Sequence, residues 1–389
     1  MRIGIITVHN GQNYGASLQA FALVKVLRDM GHGAYLIDYR TRKVEERMRG
    51  YTQLGSWNSL ASAGHNIKRI GSNFLFHTDK HYQQVRKRFN EFHEPLFESP
   101  HQVFCDSPEL VRLNDRYDAF VCGSDQIWNR TITDLDGAFF LDFAGGDKIT
   151  AAYAPSLGMP SNMVDEETAA IIRGKLAGIR YLSIREDNNR ELIEFLSGRE
   201  CRVVADPVIL PEREDWLRAA EQAEDVCPPE PYAFYYPVVE QQELQAFALK
   251  ESRKRGIRLL NPRLVPKYAK MKGFDAFART AAGPLEFLKL LIHSEVVFTN
   301  SFHATVFSTI FNKEMYSLQM KGRHSNRNNR MLEYLRMTQL LDSQSPDGNC
   351  IRIEPFSNPD LESILENQRT RSRGYLQNVF DSGTGSRQL

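Results

Sequence analysis

Thr299-Asn300-Ser301-Phe302-His303 closes an apolar run, Val296-Val297-Phe298, and opens a segment of helical spacing. A lone histidine at such a junction has two uses. It can cap or fill the helix start, or it can move a proton. The helix dipole disfavours the imidazolium near an N-terminus, and a bound polyanion reverses that. His303 would then become an acid when an anionic substrate arrives. Downstream come Lys321, Arg323, Arg327 and Arg330. These four cations read either as a solvated basic loop or as a clamp for phosphate and carboxylate.

Other strand ends carry similar chemistry. Arg185 follows the strand Tyr181–Ile184. A guanidinium there is costly unless it meets an anion, which is a ligand, or Glu186, Asp187 or an acid on another element. Gly123-Ser124-Asp125-Gln126-Ile127-Trp128-Asn129 follows the apolar run Phe120-Val121-Cys122. Ser124 and Asp125 can hold a ligand hydroxyl, or Asp125 is only a helix cap. His9 to Ser17 supplies glycines, amides and backbone N–H groups at a helix start, which suits an anion or a capped turn. It lacks dinucleotide-binding and Walker spacing.

The elements that would position these residues alternate as β and α. RIGIITV is a continuous apolar strand, and Leu18, Phe21, Ala22, Val24, Leu27 and Met30 recur at helical spacing before Gly31 and a second strand at 35–38. This βαβ pattern predicts a parallel sheet. Strands are expected at 118–122, 149–153, 181–184 and 202–204. A second series follows, with strands at 232–236, 257–260, 295–299 and 315–318. We expect an N-terminal Rossmann-like domain over 1–205 with a helical insertion near 44–105, and a proline-marked linker at 206–231. A C-terminal Rossmann-like domain is expected over 232–357, then a helix over 358–389 packing back on the first domain, with a frayed tail. Ligands in such α/β pairs bind beyond the carboxyl ends of the strands.

Length and charge bound the rest. The 389 residues suffice for two or three domains. With 49 basic against 48 acidic residues there is no global drive toward nucleic acid or anionic membrane. The five scattered cysteines lack a CxxC pair, which fits reduced cytosol and neither a disulfide framework nor a zinc site. No run approaches a membrane span, and the N-terminus lacks signal-peptide features. A cytoplasmic location is expected. The Arg-rich stretch Arg40 to Arg49 leaves open a peripheral contact with the inner membrane face through part of 44–100.

NYGASLQAFAL, CGSDQIWN, LSIRED, VVADPVIL and TNSFHATVFS, with GPLEFLKLL ahead of the last, stand in the order typical of the polysaccharide pyruvyl transferase family, which this chain resembles over roughly 3–340. The resemblance implies a GT-B-like pair of Rossmann-type domains with the active site in the cleft. It implies transfer of a pyruvyl group from phosphoenolpyruvate, a co-substrate, to two sugar hydroxyls, giving a cyclic ketal and phosphate; no further cofactor is expected, and since metal-binding acids are not clustered in the sequence, no metal is required. It carries the motif arginine onto Arg185 and the motif histidine onto His303, with Lys321 or Arg323 completing the anion clamp. Better-known members have R-L-H where this chain has Ser301-Phe302-His303, so Ser301 takes the donor-side position, as in an S-F-H branch.

On this reading His303 is the acid, and Arg185 with Lys321 or Arg323 holds phosphate and carboxylate. Asn13, Tyr14, Ser124, Asp125 and Trp128 line the acceptor side, with Trp128 stacking on a sugar or Asp125 serving as base. The acceptor is lipid-linked, nucleotide-linked or polymeric. Three alternatives predict differently. A nucleotide-sugar glycosyltransferase binds nucleotide in the second domain. A same-fold transferase uses another anionic donor. A non-catalytic glycan-binding protein tolerates changes at His303 and Arg185.

Overall fold

A computed structural model describes residues 1–41, 80–262, 281–319, 328–341 and 350–385. The first sheet is parallel, in the order β2-β1-β5-β6, with β1 Arg2–Ile6, β2 Gly33–Leu36, β5 Ala119–Cys122 and β6 Ile149–Ala152. β1 lies between β2 and β5, pairing Ile3 with both Ala34 and Ala119. Its unbroken apolar run follows from burial on both faces. The crossover helix α1, Tyr14–Asp29, is capped by Asn13, whose side chain accepts from Ala16 N–H at 3.3 Å. β3 (Asp38–Tyr39) pairs with β4 (Val103–Phe104) beside this sheet, and α2 (Lys80–His93) precedes β4.

The first half departs from expectation at its far edge. The anticipated strand at 181–184 shortens to β7, Ser183–Ile184, and pairs with β8, Arg202–Val203, as a separate parallel ribbon. A single bridge, Ala151 to Tyr181, ties this ribbon to β6. The ribbon turns strand ends Arg185 and Asp206 toward the second half. Helices α3, Glu166–Leu176, and α4, Arg190–Ser197, back it.

The connection is packed. Pro207–Ile209 forms one tight turn, and helix α5, Arg213–Glu221, buries Trp216 completely. The second sheet runs β10-β9-β11-β12-β13. Its strands are β9 Tyr232–Tyr236, β10 Arg258–Leu260, β11 Val296–Thr299, β12 Glu314–Leu318 and β13 Cys350–Ile353. β13 is antiparallel to β12, an edge strand the sequence pattern had not shown. Helices α6 (Gln242–Arg255), α7 (Pro284–His293), α8 (Phe302–Ile310) and α9 (Asn328–Met337) complete this half. Helix α10, Leu361–Gly385, crosses back. Leu361 and Leu365 pack with the second half, and Leu376, Val379 and Phe380 with the first. Two Rossmann-like α/β units facing each other, with a C-terminal helix returning to the first, make the GT-B-like arrangement.

One apolar cluster is common to both units. It joins Tyr14, Leu18 and Ala22 of α1 to Phe287, Leu288 and Leu291 of α7. Tyr14 stacks on Phe287 at 4.5 Å between centroids, and its hydroxyl lies 3.1 Å from both Pro262 O and Ala282 O. The interface is therefore core-like, which holds the facing strand ends in fixed relation. Tyr14→Phe should lower stability by about 1–2 kcal/mol through the carbonyls it leaves unpaired. A urea midpoint unchanged by that substitution would contradict this role.

Candidate functional site

The facing strand ends meet at a buried carboxylate. Asp206 follows β8, and its Oδ1 accepts from Val208 N–H at 3.1 Å, closing the turn at Pro207. Its Oδ2 accepts from Arg185 Nη1 at 2.6 Å, lies 3.4 Å from Ser124 Oγ, and stands 3.7 Å from His303 Nε2. Burial alone would raise this carboxyl. The His303 contact, then Arg185 and the Val208 N–H, outweigh it and hold Asp206 well below the usual carboxylate range.

Arg185 is enclosed by acids. Its Nε meets Glu186 Oε1 at 3.0 Å and its Nη2 is 3.7 Å from Asp125 Oδ1. Burial works against its charge, but Glu186, Asp206 and Asp125 together keep it firmly protonated. Arg185 thus meets both the adjacent Glu186 and an acid from another element, Asp206, as the salt-bridge reading required. Asp125 also receives Arg330 Nη1 at 3.3 Å, from α9 in the second half. Burial, then repulsion from Arg185, pushes Arg330 down to about 10. Both guanidinium groups lie against the Phe302 ring, 4.9 and 5.7 Å from its centroid.

Three cationic or protonatable nitrogens here are buried without a hydrogen-bond partner among the described residues: Arg185 Nη2, Arg330 Nε and His303 Nε2. Buried polar atoms are ordinarily satisfied, so a group of orphaned donors in one place marks a site for an acceptor. His303 is seated by α8, whose start is capped by Ser301 Oγ accepting from Ala304 N–H at 3.4 Å. Its ring packs on α1 at Gly15, where a Cβ would collide with Nδ1 and Cγ. Gly15 is thus required by the close approach of the histidine.

A cavity of about 950 Å³ opens beside these groups, between β8, α9 and α10. Arg185, Glu186, Asp206, Phe302, Arg330 and Glu333 line it. Glu333 reaches from α9 to the first half, where its Oε1 accepts from the backbone N–H groups of Asp187 and Asn188. Burial and the nearby Glu186 raise its carboxyl to about 7.

The structure sorts the expected residues. His303, Arg185, Ser124 and Asp125 come together. Ser301 is close in sequence but spends its oxygen on the helix cap. Asn13 is an exposed cap of α1. Two acceptor-side expectations are corrected. Trp128 is fully buried, stacked on Phe140 at 5.3 Å, with Nε1 donating to Phe139 O at 3.1 Å, so it has no face for a sugar. Tyr14 is buried in the interface described above. Lys321, Arg323 and residues 44–79 of the stretch 44–100 suggested for membrane contact lie outside the described residues. Among the described residues no three His, Cys, Asp or Glu side chains form a metal-ligand set. No described helix is long and apolar enough to cross a membrane. Asp206 was read as the start of a linker, although it sits in the VVADPVIL motif; Glu333 carried no signal in the sequence.

Glu333 gives the site a stability signature. Its folded carboxyl titrates near 7, above its ordinary value of 4.5, so the folded state binds this proton more tightly. Its contribution is present below pH 4.5 and is lost as pH rises toward 7. The denaturant midpoint should fall across that window, and Glu333→Gln should flatten the fall. An equally steep fall in the variant would assign it to other groups.

Among solved structures the chain is similar to a putative UDP-N-acetylglucosamine 2-epimerase from Listeria monocytogenes. The identity is 11%, the coverage 98% of this chain and 97% of that one, and the TM-score 0.47. It is also similar to UDP-GlcNAc 2-epimerase from Methanocaldococcus jannaschii, at 13% identity, 96% and 99% coverage, and TM-score 0.44. MurG from Acinetobacter baumannii matches at 10% identity, 100% and 99% coverage, and TM-score 0.39. No curated protein matches it in sequence. The family model for polysaccharide pyruvyl transferase matches residues 13–319. That span takes in each strand end whose side chains meet at Asp206, and the chain belongs to the polysaccharide pyruvyl transferase family.

Proposed function

We propose that the protein transfers a pyruvyl group from phosphoenolpyruvate to two hydroxyls of a sugar in a glycan or glycan precursor, forming a cyclic ketal and releasing phosphate. The observation that carries this is the set of orphaned donors on Arg185, Arg330 and His303 around Phe302. Phosphoenolpyruvate brings a phosphate and a carboxylate, both acceptors, next to a methylene carbon that must be protonated.

Each residue has a part. Arg185 Nη2 and Arg330 Nε donate to the donor's anionic oxygens, with Lys321 or Arg323, which follow β12 in the sequence, as a further cation. Their charges are held in place by Asp125, Asp206 and Glu186, so little reorganisation is needed when the substrate enters. His303 delivers a proton from Nε2 to the methylene carbon, and the central carbon becomes electrophilic. Asp206, at 3.7 Å, stabilises the imidazolium before transfer. A first sugar hydroxyl adds, phosphate leaves, and a second hydroxyl closes the ketal.

Arg330 is the better probe of donor binding, because removing Arg185 would strand Asp206 and Glu186 as buried unpaired charges. Calorimetry should show phosphoenolpyruvate binding that weakens roughly 10- to 100-fold in Arg330→Gln, the loss of one charge-assisted contact. His303→Ala should bind the donor yet lose roughly 100- to 10,000-fold in turnover. A wild type that binds a nucleotide-sugar and ignores phosphoenolpyruvate would replace this reading with a glycosyltransferase.

A further inference from the structure

The acceptor side proposed from the sequence has lost both of its aromatic residues to the core, so the sugar needs another place. We propose that the cavity between β8, α9 and α10 is the acceptor subsite, and that it takes a hexopyranoside whose two reacting hydroxyls donate to Glu186 Oε2 and Glu333 Oε2. This rests on the pyruvyl-transfer reading.

The argument starts from those two oxygens. Glu186 is only 2% exposed, and both residues line the cavity. In each, Oε1 is engaged, by Arg185 Nε in Glu186 and by the Asp187 and Asn188 N–H groups in Glu333. In each, Oε2 is buried and has no hydrogen-bond partner among the described residues. The Glu186 oxygen, on an ionised carboxylate, only accepts, so its missing partner must be a donor, and Glu333 Oε2 accepts in the same way when ionised and donates when protonated. An ammonium group would meet Arg185 and Arg330 in the same wall and be repelled. A hydroxyl is neutral, donates to a carboxylate, and accepts from a guanidinium with its remaining lone pairs. A polyol therefore fits a wall that alternates acids and arginines. The volume of about 950 Å³ exceeds what one sugar ring needs and leaves room for part of its carrier.

The two carboxylates also match the proton balance of ketal formation. Two C–O bonds form at the central carbon, and its bond to the phosphate oxygen breaks. Two hydroxyl protons are released. One is matched by the proton that turns the methylene into a methyl group, and the other leaves with phosphate. Each hydroxyl thus needs a local acceptor, and one carboxylate stands in each half of the molecule. A Glu333 carboxyl that titrates near neutrality can take up such a proton and return it.

Glu186→Gln and Glu333→Gln test this cleanly, because glutamine keeps Oε1 and its structural contact while turning the free oxygen into an amide. Saturation-transfer NMR would use methyl hexopyranosides of gluco, galacto and manno configuration on wild type and both variants. Phosphoenolpyruvate calorimetry would run beside it. We expect at least one glycoside to bind wild type and to weaken roughly tenfold or more in each variant, with donor affinity unchanged in Glu333→Gln, which pairs with neither arginine. Glycoside signals that are equal in all three proteins, or absent from wild type, overturn the subsite. Glycoside binding that depends on both glutamates, in a protein that ignores phosphoenolpyruvate, keeps the subsite and removes the donor assignment.

Discussion

The Asp206 carboxylate is the constraint around which the cleft is built. It is fully buried, and it is shared by an arginine from one strand end, a histidine from the opposite domain and a serine from a third loop. A charge this deep persists only if its neighbours keep it compensated, and stripping one partner from a buried pair costs about 3–5 kcal/mol. The turn that holds it is part of the connection between domains, so the geometry of the site and the path of the chain are one feature. Arg185 cannot swing away without exposing three carboxylates to apolar surroundings.

The charges near this hub almost cancel. Asp206, Glu186 and Asp125 oppose Arg185 and Arg330, with His303 as the sixth member. A neutral His303 leaves one excess negative charge, and a protonated one gives balance. A polyanionic substrate entering such a set needs more positive charge than these residues hold.

Much of this was legible because strand ends in parallel α/β sheets collect polar residues for one physical reason: the helix starts and free backbone groups are there. Arg185, His303, Ser124 and Asp125 all stood out on that ground. Asp206 did not, since an Asp-Pro pair reads as turn punctuation, and only the fold shows the carboxylate turned inward onto Arg185. Glu333 lies on an ordinary polar helix face, and its value comes from what the other domain presents to it. Trp128 and Tyr14 misled for the opposite reason. An aromatic residue beside a polar turn looks the same in sequence whether it faces solvent or core, and tertiary packing decides. β13 and the shortened β7 escaped because edge strands carry little periodic signal.

The interface between the halves explains why such a costly cluster is tolerated. α1 packs its apolar face into the second domain, Tyr14 stacks on Phe287, and α10 straps both halves together. With the halves fixed by apolar packing, the polar groups at the strand ends are not needed for cohesion. They can remain partly unsatisfied. The same rigidity sets the division of the cleft. Among the described residues, unpartnered donors lie around Phe302, and Glu186 and Glu333, each with one unpartnered oxygen, line the cavity beside it, so the two kinds of unmet capacity sit in adjoining places.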